Sequence, residues 1–164
     1  MIVRHLLSIA LLPFVVVVLM PRWLLVGEVG NVAMTSARIV AAGRTAGAVL
    51  FVAGFTLFVW CVVLFARVGR GTLAPWDPTQ RLVVVGPYRH VRNPMITAVC
   101  TMLAGEALYF HSAPIGWWFL FVVALNHAYF IVLEEPGLEA RFGDEYARYR
   151  AAVPRWIPRR RGWP

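Results

Sequence analysis

Two polar clusters interrupt an otherwise apolar chain. The first is Gly86-Pro87-Tyr88-Arg89-His90-Val91-Arg92-Asn93-Pro94-Met95, an arginine-bearing turn set between long hydrophobic runs. The second begins about forty residues later with Glu134-Glu135, where an apolar run ends, and continues into Phe142-Gly143-Asp144-Glu145-Tyr146. Ionisable groups at the mouth of a membrane bundle are costly to hold there, which makes them candidates for a site. Their types set what they can bind. A carboxylate complements an ammonium, an arginine holds a carboxylate in a two-point fork, and Tyr88 offers an aromatic face to a cation. Neighbouring residues on a helix lie about 100° apart, so Glu134 and Glu135 cannot share one task. One can face the bundle while its neighbour faces water or the arginine-rich tail.

The elements that must position these groups are read from hydropathy. The 164 residues are 60% apolar and form a single domain over 1–164. Four runs have the length of a membrane crossing, about 20 residues of helix: 6–26, 45–66, 95–110 and 115–133. The first is flawed by Pro13, Pro21 and Arg22, and the third carries Glu106, expected to pair with His111 or an interfacial arginine. Gly43, Gly47 and Gly54 permit close packing of the second. The fold class is therefore an all-α integral membrane bundle of about four helices. A cytoplasmic amphipathic tail helix follows over 136–153, with Leu138, Phe142, Tyr146, Tyr149 and Val153 on one face. Residues 29–43 are an interfacial helix or part of a span. Leu82-Val83-Val84-Val85 is too short to cross and reads as extended chain along the membrane face. Asn93 and Pro94 suit the cap and first turn of the third helix.

The net charge of +8 comes from arginine alone, since the chain has no lysine. The arginines gather at the ends of the apolar runs, which argues for membrane anchoring and against nucleic acid. The 67–92 loop and the tail are rich in arginine and the His111–Pro114 turn has none, so both polar clusters are expected on the cytoplasmic side. Trp23, Trp117, Trp118, Trp156 and Trp163 read as an aromatic belt, and Arg159-Arg160-Arg161 as a contact to anionic membrane lipids.

The order GPYRxxRNP, hydrophobic hairpin, EE, then FGxEYxxYRxxVPR resembles the isoprenylcysteine carboxyl methyltransferase and phospholipid methyltransferase superfamily, over roughly Gly71 to Pro158. The resemblance implies a small membrane enzyme of a bacterial inner or cell membrane that uses S-adenosyl-L-methionine. Its cosubstrate glutamate stands nine residues before the glycine of the FG pair, which is Glu134 here. The other wall would be Tyr88, Arg89, Asn93, Pro94 and Met95, with backbone contacts from Gln80, Arg81, Leu82 and Val83; Glu135 is a further candidate, with a salt bridge to the tail as the alternative. Two departures stand out. Asn93 and Ile96 replace the family's RHPxY histidine and tyrosine, and Phe130 replaces a substrate-binding arginine.

Methyl transfer from a sulfonium is a displacement on an already activated carbon, so positioning dominates and no metal is needed. Arg92 and the intramembrane pair Asn126 and His127 are the candidates for acting on the acceptor, with interhelical hydrogen bonding as the alternative for the pair. Phe130 points away from a prenylcysteine carboxylate and toward a lipid or apolar acceptor, a phospholipid amine first. Two rival readings are an NADPH-dependent isoprenoid or sterol reductase of the same superfamily shape and a non-enzymatic membrane scaffold.

Overall fold

Glycine decides how the two central helices meet. The computed structural model describes residues 12–27, 37–64, 67–68 and 82–164. Five helices form in it, α1 (Leu12–Val26), α2 (Ala37–Leu64), α3 (Pro94–Phe110), α4 (Ala113–Phe142) and α5 (Asp144–Ala152), with a 3₁₀ turn at Gly86–Arg89 before α3. No strand occurs among the described residues. The dominant contact is α2 on α3. A Cβ on Gly47 would lie 2.5 Å from the Gly105 carbonyl oxygen, and one on Gly54 would lie 2.8 Å from that of Ala98. The two backbones therefore touch directly, as small residues allow in a lipid solvent that gives little hydrophobic drive.

Helices α2 and α4 are long and apolar enough to cross a membrane, and only 17% of each apolar window is buried. A core helix of a water-soluble protein would be mostly buried; these expose Phe55, Trp60, Phe121, Leu125 and Val132. The exposed hydroxyls of Thr45 and Thr56 donate to the carbonyls of Ala41 and Val52 at 3.0 and 2.8 Å, as an apolar solvent requires. Helices α1 and α3 are shorter apolar helices, so two of the four expected spans have the full crossing length. The second span starts at Ala37 rather than 45, which takes in part of the 29–43 segment; residues 28–36 lie outside the described residues, as do 1–11.

Helix α4 differs most from expectation. It does not stop at 133 but runs on to Phe142, and the tail expected as one helix over 136–153 is split at Gly143. Gly143 has φ +52°, which helical residues do not adopt, and the break starts α5 in a new direction. Within α4, Phe130–Glu134 form a π-turn that ends just before Pro136; α1 holds another at Val15–Leu19, just before Pro21. Proline lacks an N–H and collides with the preceding turn, and a widened turn accommodates both defects. In the π register the carbonyl of Val16 would accept from residue 21, which is proline. It accepts instead from the indole of Trp118 at 3.0 Å, tying α1 to α4.

The His111–Ser112 turn joins α3 to α4, with His111 left-handed at φ 53° and Ser112 accepting from Ile115 N at 3.3 Å as the α4 cap. His111 Nε2 pairs with the Val40 carbonyl at 3.2 Å, its ring lying against Gly43, and is not the partner of Glu106.

The glycine contact yields a test. Gly47→Ala should destabilise the protein by about 1–3 kcal/mol, because the added methyl meets backbone that cannot rotate away. Gly116→Ala, where no atom lies within 4 Å of the new Cβ, should not. Thermal unfolding in detergent distinguishes them; equal midpoints would mean that α2 and α3 do not pack through glycine.

Candidate functional site

The two polar clusters meet at one end of the bundle. The π-turn adds a residue to the last turns of α4, and Glu134 and Glu135 emerge from it in different directions. Glu135 is 8% exposed. Its Oε1 accepts from Arg155 Nε at 2.7 Å and stands 2.9 Å from Arg92 Nη1. One carboxylate thus joins the end of α4, the turn before α3 and the chain after α5. Arg92 and Glu135 are a close ion pair, made through Arg92 Nη1. Arg92 Nε is buried and has no acceptor among the described residues. Glu135 therefore takes the tail salt bridge weighed as its alternative role.

Glu134 faces Asn93. With the Asn93 amide oriented by its surroundings, Nδ2 donates to Glu134 Oε1 at 3.3 Å. Asn93 was expected to cap α3 with its side chain; it makes no such bond. The α3 start is held instead by buried Pro94 and by Thr97, whose N and Oγ1 donate to the Asn93 carbonyl at 3.0 and 2.9 Å. Arg92 acts electrostatically on both glutamates. Glu134, Asn93 and Arg92 are consequently neighbours, with one carboxylate acceptor and one donor, Arg92 Nε, that has no acceptor among the described residues. A zwitterionic amino-acid group would find a complement for each charge: Glu134 for an ammonium, and Arg92 Nε for a carboxylate.

Several expected wall residues serve packing. Tyr88 is 7% exposed, in a cluster with Cys61 and Val83 that Met95 covers. Its carbonyl accepts from Tyr149 Oη at 2.7 Å. Burial holds the Tyr149 phenol, and that of Tyr88, well above the usual tyrosine range, so both stay neutral. The 82–85 segment is non-helical, with Val85 extended, and its side chains pack on two sides. Val83 packs into the α2 side, while Leu82 and Val84 pack against Tyr146, Tyr149 and Val153 of α5, the alternation of extended chain. Gln80 and Arg81 lie outside the described residues.

The tail after α5 is a part of the site that sequence reading missed. It runs back over the Arg89–Arg92 turn as a strap: Arg92 N donates to Pro154 O at 2.9 Å, Arg159 N to His90 O at 3.0 Å, and Trp163 N to Arg89 O at 2.9 Å. Arg89 Nε also donates to the Trp163 carbonyl, and His90 Nδ1 meets the Arg159 carbonyl at 2.8 Å. Trp156 and Trp163, read as belt residues, belong to this strap; Trp163 packs edge-on to Tyr149. The signal that could have revealed it is the run of aromatic and proline residues after Val153, which is unusual for a free tail.

The intramembrane pair is engaged locally. Asn126 Nδ2 donates to the Val122 carbonyl of its own helix at 2.8 Å. His127 Nδ1 accepts from Trp156 Nε1 at 3.1 Å, and the two rings stack. This leaves Nε2 as the nitrogen that carries the proton in the neutral ring. Phe130, one turn on, is 2% exposed and packs on Trp156 with ring centroids 5.6 Å apart.

The division of labour between the glutamates predicts unlike effects on stability. Glu135→Gln strands two guanidinium groups and should cost about 3 kcal/mol, near the low end for a broken buried pair since Arg155 is partly exposed. Glu134→Gln keeps the Asn93 contact and should leave the unfolding midpoint nearly unchanged. Equal midpoints for the two variants would remove Glu135 from its clamping role.

The phospholipid methyltransferase family model matches residues 42–145, a stretch that contains the first polar cluster, the second as far as Glu145, and the helices between them. No curated protein and no solved structure matches the chain. The match covers well over half of the 164 residues, and it fits a bundle whose longest helices face lipid. The chain belongs to the phospholipid methyltransferase family of membrane methyltransferases.

Proposed function

We propose that this protein transfers a methyl group from S-adenosyl-L-methionine to a lipid-like acceptor at the cytoplasmic end of the bundle. The observation that carries the reading is the meeting of Glu134, Asn93 and Arg92 from two clusters about forty residues apart. Bound cosubstrate would supply an activated methyl group. The chain's own residues would hold the cosubstrate's amino-acid end, Glu134 accepting from its ammonium and Arg92 donating to its carboxylate. With Glu134 ionised, Glu134, Glu135, Arg92 and Arg155 sum to zero charge, and a zwitterionic end group leaves that balance intact.

Two features support an apolar acceptor. Phe130 is buried against Trp156 where a carboxylate-bearing substrate would need a positive charge. A groove of about 440 Å³ opens between α2 and the motif turn, with Leu57, Trp60 and Val91 as apolar wall and Arg89 and His90 at its polar end. Pro94, next to Asn93, also lines it. Such a groove suits a molecule that arrives sideways from the bilayer, headgroup toward the arginine. A neutral amine on a phospholipid is the acceptor that this chemistry and the family name favour together.

Titration calorimetry on the purified protein tests the cosubstrate. S-adenosylmethionine and its demethylated product should bind and NADPH should not. Glu134→Gln should weaken binding by about one to two decades, the worth of a charged hydrogen bond. Binding of NADPH alone would favour a reductase, and unchanged affinity in a folded Glu134→Gln variant would remove Glu134 from the site.

Acceptor choice is tested by methyl transfer to phosphatidylethanolamine, small apolar amines and thiols, and a farnesylcysteine analogue. Turnover of the neutral nucleophiles is expected, and turnover of the farnesylcysteine alone would contradict the apolar reading of Phe130.

A further inference from the structure

A second groove lies at the other end of the bundle. Glu106 stands thirteen residues after Asn93 on α3, roughly 20 Å along the helix axis at 1.5 Å per residue. It lines a groove of about 490 Å³ between α1 and α3, walled by Val18, Leu25, Val26 and Phe110, with Arg22 beside it. Among the described residues its buried Oε2 has no hydrogen-bond partner, and Arg22 forms no ion pair with it. A carboxyl oxygen in apolar surroundings without a donor is unfavourable, and in a membrane helix such a group implies a partner. Nothing in the methyl-transfer reading uses it.

The groove's chemistry defines that partner. It must bring an N–H donor to Glu106, an anionic group to Arg22, and an apolar body along the α1 and α3 walls. A phospholipid with a primary ammonium headgroup has all three. A choline headgroup has the positive charge but no N–H to donate, and a glycerol headgroup lacks the charge. We infer that the groove between α1 and α3 binds one aminophospholipid, its ammonium donating to Glu106, its phosphate accepting from Arg22, and its acyl chains lying along Val18, Leu25, Val26 and Phe110. The inference does not depend on which acceptor is methylated, and its site is separated from the Glu134 end by most of the length of α3.

The test places the protein in phosphatidylcholine nanodiscs with a trace of phosphatidylethanolamine carrying a photoactivatable group on one acyl chain. After irradiation, the labelled peptides are mapped. Label is expected in the peptides holding Pro21–Val26 and Ala107–Phe110, displaced by unlabelled phosphatidylethanolamine but not by phosphatidylcholine or phosphatidylglycerol. Glu106→Gln should reduce that label about tenfold, the loss of one charged hydrogen bond. Arg22→Gln, an exposed change that leaves the packing intact, should reduce it likewise and serves if the Glu106 variant does not fold. Cosubstrate affinity should be unaltered in both. Equal displacement by all three lipids, or label that survives both substitutions, would overturn the inference. Displacement by phosphatidylglycerol alone would do the same, since it would mean that Arg22 merely attracts anionic lipid.

Discussion

The Glu135 carboxylate is where three segments distant in sequence become one structure. Arg92 precedes α3, Glu135 lies in α4 and Arg155 follows α5, and a single carboxylate oxygen stands within 2.9 Å of both guanidinium groups. Burying such charges is expensive, and the cost is offset only when each finds its counterpart. The strap's backbone bonds to the Arg89–Arg92 turn depend on the same alignment, because Arg155 immediately follows Pro154, which receives the Arg92 amide. With Arg92 anchored, its Nε is held without an acceptor while its charge acts on Glu134. A preorganised donor of this kind binds an incoming anion without first losing side-chain freedom.

Helix irregularity gives the clamp its geometry. In an unbroken α-helix, Glu135 would follow the exposed positions Ile131 and Val132, while Glu134 would follow buried Phe130. The π-turn at Phe130–Glu134 shifts the register at the point where Pro136 removes a backbone donor. Sequence and function meet in that proline, whose defect re-aims the acids. At the far end of α4, Trp118 answers the corresponding defect of Pro21 in α1. The bundle is thus held by backbone groups freed by proline and by backbone surfaces bared by glycine. Both are forces suited to lipid, where apolar side chains gain little by associating.

Much of this was legible from residue order. The apolar runs, the glycine spacing of α2 and the proximity of the two polar clusters follow from hydropathy, residue size and arginine placement. The nine-residue step from Glu134 to Gly143 carried the family likeness. What stayed hidden has physical causes. Helix α4 passes position 133 because Pro136 is tolerated after a widened turn, which a periodicity argument does not anticipate. The tail helix breaks at Gly143 because the backbone there takes a positive φ, whereas the amphipathic pattern of Leu138 to Val153 runs on across it. Trp156 and Trp163 have the composition of a membrane belt, and only the return of the strap over Arg89 and His90 gives them another task. Tyr88 looked like a ligand face; its ring is spent on the packing of Cys61 and Val83. Asn126 and His127 are satisfied by a backbone carbonyl and by Trp156, the ordinary fate of polar groups in a span.

The central claim is that an amino-acid zwitterion binds between Glu134, Asn93 and Arg92. Ultraviolet cross-linking of radiolabelled S-adenosylmethionine, followed by peptide mapping, tests it most directly. The account predicts label in the peptides spanning Gly86–Met95 and Ile131–Glu135, lost when excess demethylated product is present. Label confined to α1 or to the Glu106 end of α3, or insensitive to the product, would contradict it.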